Sequence, residues 1–275
     1  MKIKFVMFLT AAFILAGAFI GCNKPAAVSV SASSAPYTIE AGGSTSVTPL
    51  MEMFAQEYAK VKPNIKVNIN GTGSGDGITN AGVTYQIGMS SRDLTPAEQG
   101  RGLRYEIIAI DGIAVIVNNG NPVSGLSAEQ IRGIYTGEIT SWSQVGGGNN
   151  PIAVVSREAG SGTRGAFEEI IGFSGRLVPG ANESTSTGAI KAGVAQNPNA
   201  IGYISLGSLD ETIKALSVGG AEATSANVVN GSYKVARPFI VLTGGNAHAE
   251  TNAFIQWMLS SEGQAIVSRS WIPVN

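Results

Sequence analysis

Three short loops hold the residue types best suited to grip a small anion: GGSTSVTP over residues 42–49, GTGSGDG over 71–77 and REAGSGTRG over 157–165. Each follows a β-rich run and precedes a helical one. A helix N-terminus presents unpaired backbone N–H groups and about half a positive charge, which favours an anion without any cationic side chain. Glycine lets the backbone approach closely, and serine or threonine adds a hydroxyl donor. Three such ends aimed at one point would suit a tetrahedral oxyanion. Arg157 would add a fork of charge-assisted donors and the one cation of the shell. Any one of these loops also fits ordinary helix capping, so it is their repetition in one strand-loop-helix context that points to a shared site.

Catalytic chemistry finds no comparable set of residues. The chain has one histidine, His248, and one cysteine, Cys22, too few for a zinc site or a Cys/His pair. GTGSGDG lacks the Lys-Ser/Thr ending of a P-loop, and its glycines do not follow GxGxxG. Neither Ser74 nor Ser161 lies in GxSxG, and no serine precedes a lysine by three positions. Asp76, Asp93, Asp111 and Glu158 are available carboxylates, but no spacing singles out two of them as an acid/base pair. His248 is expected at the surface or as a helix cap. These residues predict binding without chemistry.

The elements that must position the loops alternate in the manner of an α/β fold with a substantially parallel sheet. Strands are predicted at YTIEA (37–41), KVNIN (66–70), QIGMS (86–90), IIAIDGIAVIVN (107–118), IAVVSR (152–157), IGYISL (201–206) and FIVLT (239–243). A helix over 49–60 places Leu50, Phe54, Tyr58 and Val61 on one face, with Pro49 suited to its first turn. Further helices carry Ile78 and Ala81, then Phe167, Ile170 and Ile171. One near the C-terminus has Phe254, Trp257, Met258 and Ile266 on one side.

Hydrophobic residues make up 44% of the 275 and charged ones only 13%, enough apolar material for one large core or two modest ones. Setting aside Lys2 and Lys4 leaves 16 basic against 19 acidic side chains, with no basic stripe for nucleic acid. Those two lysines precede an apolar run from Phe5 to Ile20 and then Gly21 and Cys22, the layout of a signal peptide over residues 1–21. The run is shorter than the roughly 20 residues a membrane span requires. FIGC resembles a bacterial lipobox, with Phe19 and Ile20 in place of the usual Leu and Ala/Ser. In that reading Cys22 is lipidated; in the plainer one it is an incidental residue of the leader. The Ala-, Ser- and Pro-rich tract that follows, to residue 36, suits a flexible tether.

Taken in order, GSTSVTPL, GTGSG, IGMSSRDL, SREAGSGTRGAFEE, IGYISL and FIQWMLSSEGQAIV resemble the phosphate-binding proteins that serve phosphate ABC importers. The similarity spans about residues 39–275 and is strongest in the Arg-x-x-Gly-Ser-Gly-Thr loop. It implies a two-lobed periplasmic-binding-protein fold of type II, each lobe a mixed sheet flanked by helices, with a two-strand hinge. Residues 37–113 and 239–275 would form the first lobe and 114–238 the second. Matched residue by residue, Thr45 and Ser46 are the donors of the first loop, Ser74 that of the second, and Arg157, Ser161, Gly162 and Thr163 those of the third. Ser91 stands where the best-known members carry an Asp that accepts the proton phosphate keeps and sulfate lacks, and Asp76 or Asp93 is a candidate substitute. Ala159 replaces an Asp that partners the arginine, with Glu158 as its candidate replacement.

The resemblance further implies an exported, lipid-anchored, monomeric protein on the outer face of a membrane. It would deliver inorganic phosphate to ABC permease subunits, with no cofactor and no metal. Sulfate, molybdate or tungstate would suit the same donor loops, and a surface hydrolase is the remaining alternative.

Overall fold

Two strands run past each other through the middle of the molecule and decide its architecture. In the computed structural model, which describes residues 35–275, these are Arg104–Asn118 and Ala236–Thr243, paired antiparallel from Arg104 opposite Thr243 to Gly112 opposite Ala236. The leader, Cys22 and the tether up to residue 34 lie outside the described residues. From Ile108 to Val117 the first of the two strands is an almost unbroken apolar run, as expected of a strand buried on both faces, while its first four residues are exposed.

From one edge of the sheet to the other, the strands are Ile65–Gly71, Tyr37–Gly43, Ile87–Ser90, Ala236–Thr243, Arg104–Asn118, Ala200–Ser205, Ala153–Arg157 and Asn182–Ser184. The first three are parallel neighbours, as are the last three. The pairings between these groups are antiparallel. The sheet is mixed, with parallel pairing in both outer groups and antiparallel pairing wherever one of the two long strands takes part. All seven predicted strands are present, with ends shifted by up to three residues.

Apolar side chains gather on either side of this crossing. One core joins Ile39, Leu50, Phe54, Tyr58, Ile108, Phe239, Phe254, Met258 and Trp271. The other joins Ile113, Val115, Tyr135, Phe167, Phe173, Tyr203 and Val235, with the Phe167 and Tyr203 rings stacked at 4.2 Å. The long strand feeds the first core before Gly112 and the second after it.

Helix Thr48–Val61 buries Leu50, Phe54 and Tyr58, but Val61 is 55% exposed. It is the last helical residue, and the chain turns away at Lys62 before Val61 can reach the core. Ile170 is likewise exposed on helix Gly162–Ile171. The predicted C-terminal helix is two helices, Ala249–Met258 and Ser261–Val267. The break has a local cause: Ser260 caps the second helix by accepting from Gly263 N, and a Cβ at Gly263 would lie 2.4 Å from the carbonyl oxygens of Trp257 and Met258. His248 caps Ala249–Met258 through Nδ1, which accepts from Glu250 N, and its ring stacks on Tyr37. No helix among the described residues is long and apolar enough to cross a membrane.

Candidate functional site

The three loops open helices Thr48–Val61, Ser74–Asn80 and Gly162–Ile171. The first two helices have no side-chain cap, so their serines are free for other partners. In the third, Ser161 accepts from Arg164 N at 3.3 Å and serves as the cap. Gly43 enters the first loop at φ +135°, and a Cβ there would lie 2.3 Å from the Met89 carbonyl oxygen. That conformation and that contact together require glycine.

The loops converge. Ser46 Oγ shares a hydrogen bond with Thr163 Oγ1 at 3.1 Å and another with Ser44 Oγ at 3.0 Å. Ser44 Oγ donates to Ser91 Oγ at 2.8 Å, and Ser91 Oγ lies 3.3 Å from Ser74 Oγ, which also accepts from Ser91 N. Thr45 Oγ1 meets Thr187 Oγ1 at 3.3 Å. Gly75 N donates to Gly160 O at 3.0 Å, tying the second loop to the third. A Cβ on Gly162 would come within 2.3 Å of Ser74 Oγ and 2.9 Å of Ser91 Oγ, so the helix N-terminus reaches the serines only because residue 162 is glycine.

Arg157 borders this cluster and is buried. Its guanidinium donates to both Glu158 carboxylate oxygens at 2.9 Å and to the carbonyls of Ser184 and Thr185, while Nη1 points at Thr187 Oγ1 at 3.5 Å. Glu158 thus occupies the partner role expected of it. Asp76 does not reach the serines: its carboxylate accepts from Thr72, Asn80 and Tyr85. Asp93 is exposed and outside the cluster.

Arg157 is not the only cation, which corrects the sequence reading. Arg237 donates through Nη2 to Ser46 Oγ and through Nη1 to Ser91 O, both at 3.2 Å, and pairs with Asp111 at 3.0 Å. Burial pushes the Asp111 carboxyl up to about 6, against the opposing pull of Arg237 and the Ser205 hydroxyl, and burial lowers the Arg237 guanidinium below its usual value. Both shifts are those of charges withdrawn from water.

Four participants were missed from sequence: Ser44, Thr187, Asp111 as an ion-pair partner, and Arg237. Ser44 lies inside the first loop. Thr187 opens helix Thr187–Gln196 within ESTSTG, which leads from strand Asn182–Ser184 into that helix and has the same small-residue signature as the other three loops. Arg237 and Asp111 each interrupt an apolar strand with a charge, and such an interruption is itself a signal that a partner exists.

Comparison with known proteins gives a consistent picture. Residues 29–262 match the model of a PBP superfamily domain. A structure from Clostridium perfringens, described as a phosphate ABC transporter substrate-binding protein with bound phosphate, is 46% identical over 87% of this chain and all of that one, with a TM-score of 0.85. An ABC-type phosphate transport receptor from Vibrio cholerae is 38% identical, covering 86% of this chain and all of that one, with a TM-score of 0.72. The phosphate-binding protein PstS of Bacillus subtilis is 28% identical over 98% of this chain and 93% of its own length.

Proposed function

The chain belongs to the PBP superfamily, and on that footing we propose that it captures inorganic phosphate between two lobes and hands it to an ABC importer. It is a binding protein of the extracytoplasmic type, not an enzyme. The observation that carries this reading is the meeting of hydroxyls from both cores, Ser46 and Ser91 from one and Thr163 from the other, between two buried guanidinium groups.

Thr45, Ser46, Ser74, Ser91, Arg157, Ser161, Gly162 and Thr163 are proposed as the binding set. The lobes are residues 37–113 with 239–275, and 114–238, hinged where Arg104–Asn118 and Ala236–Thr243 cross. An anion bonded to donors of both lobes stabilises the closed arrangement by its greater affinity for it, and the permease reads that arrangement.

Among the described residues, Glu158 and Asp111 are each turned onto a guanidinium, and Asp76 onto Thr72, Asn80 and Tyr85. A proton retained by bound phosphate would therefore be accepted by a hydroxyl oxygen, which can also donate. This favours weaker exclusion of sulfate than a facing carboxylate would give. Titration calorimetry of the purified protein with phosphate, sulfate, arsenate and molybdate tests the reading: heat with phosphate and a weaker signal with sulfate are expected. A response to another oxyanion and none to phosphate would refute it.

Lipidation of Cys22 and a monomeric body on the outer face of the membrane complete the proposal. Cys22→Ser is expected to release the protein from the membrane fraction in the producing cell. Retention of that variant would leave the anchor without support.

A further inference from the structure

Arg237 and Asp111 lie directly opposite each other where the two long strands cross, both buried. The Asp111 oxygens are fully engaged: one takes Arg237 Nε and Nη2 at 3.3 and 3.0 Å, the other takes the Ser205 hydroxyl at 2.8 Å. The Arg237 guanidinium also stands 5.4 Å from the Phe239 ring, so it is held by a carboxylate and an aromatic face together. Its remaining N–H groups then point at Ser46 Oγ and Ser91 O.

An arginine only donates. By filling a lone pair of Ser46 Oγ, it leaves that hydroxyl its proton to give, and Ser46 is the residue that meets Thr163 of the other core. By bonding Ser91 O, it fixes the backbone that carries the Ser91 hydroxyl. We propose that Arg237 is a positioning residue for anion capture: clamped by Asp111 at the strand crossing, it orients the Ser46 hydroxyl as a donor and fixes the Ser91 backbone. This rests on the anion-capture reading. It ties the donor geometry to the strand register at the crossing, where Gly112 and Ala236 close the pairing.

The test is a double-mutant cycle on the full chain, with phosphate affinity from calorimetry and thermal melting as a separate readout. Arg237→Lys keeps the charge beside Asp111 but loses the planar fork, so one ammonium cannot serve Asp111, Ser46 and Ser91 together. It is expected to bind phosphate about tenfold more weakly, the loss of one charge-assisted contact, with little change in melting temperature. Ser46→Ala is expected to weaken binding too, and the double variant by clearly less than the product of the two losses, because Arg237 acts in part through Ser46. Wild-type affinity in Arg237→Lys, or losses that multiply in full, would overturn the proposal. If Arg237→Lys does not fold, Asp111→Asn replaces it in the same cycle and is judged by the same criterion. If the wild type takes sulfate and not phosphate, the phosphate reading falls, and the cycle read with sulfate still decides the role of Arg237.

Discussion

Two arginine–carboxylate pairs flank the hydroxyl cluster, and they are built in opposite ways. Arg157 and Glu158 are consecutive residues at the end of strand Ala153–Arg157, and the carboxylate keeps 28% of its side chain in solvent. Arg237 and Asp111 are 126 positions apart and almost wholly withdrawn from water. The local pair can lose its acid and leave an arginine still held by the Ser184 and Thr185 carbonyls. Without Asp111, Arg237 would keep only Ser91 O and the Ser46 hydroxyl and no counter-ion, and a charge left uncompensated in the interior costs far more than the loss of a carboxylate at a rim. One pair sits at the rim of the site, whereas the other joins the two strands whose pairing links the cores.

The contrast is broken or sharpened most directly at Asp111. Asp111→Ala leaves Arg237 buried without its counter-ion and is expected to cost about 3–5 kcal/mol of stability, read from urea unfolding. A loss below about 1 kcal/mol would mean that the crossing does not depend on the pair. Next, Arg157→Ala should act on ligand more than on fold. Phosphate binding is expected to weaken by about 3 kcal/mol, roughly a hundredfold or more by calorimetry, with a smaller shift in the urea midpoint.

Glu158→Gln probes the exposed half of the local pair and is expected to change stability by about 1 kcal/mol or less, because solvent screens that carboxylate. A cost matching that of Asp111→Ala would erase the distinction between the pairs. The smallest effect is set by a pair that makes no hydrogen bond to the clustered hydroxyls. Arg92 grips both Glu98 oxygens at 2.7 Å, and together with Thr95 N it holds the Glu98 carboxyl down at about 2. A carboxylate whose folded pKa is depressed contributes above its unfolded value, near 4.5, and loses that contribution as pH falls through about 2. Glu98→Gln should therefore cost about 0.5–1 kcal/mol at neutral pH after allowance for screening. In melting temperatures measured from pH 7 downward, the gap from wild type should narrow toward pH 2; a gap that stayed constant would count against the assignment.

The same division governs how much could be read in advance. Strands announced themselves because runs such as IIAIDGIAVIVN and FIVLT are dense in β-branched residues, and helix Thr48–Val61 because Leu50, Phe54 and Tyr58 recur at helical spacing. Val61 and the split C-terminal helix were misread because periodicity says which face a residue shares, not where the chain must turn. The donor loops were legible one by one, since glycine and serine before a helix describe a local conformation. ESTSTG carries the same mark, but with a single glycine after its hydroxyl residues it resembles an ordinary cap more closely.

By itself the sequence determined the donor inventory, the local Arg157–Glu158 pair, the α/β alternation and the scarcity of catalytic groups, all of which depend on residues close together in the chain. Tertiary structure alone decided that Ser46 meets Thr163, that Gly162 admits the helix N-terminus to the serines, and that Arg237 finds Asp111. The last of these depends on the antiparallel register of two strands whose paired residues lie more than 120 positions apart. Residue types set which partners a buried charge will accept, but only the packing of both cores around the crossing selects one.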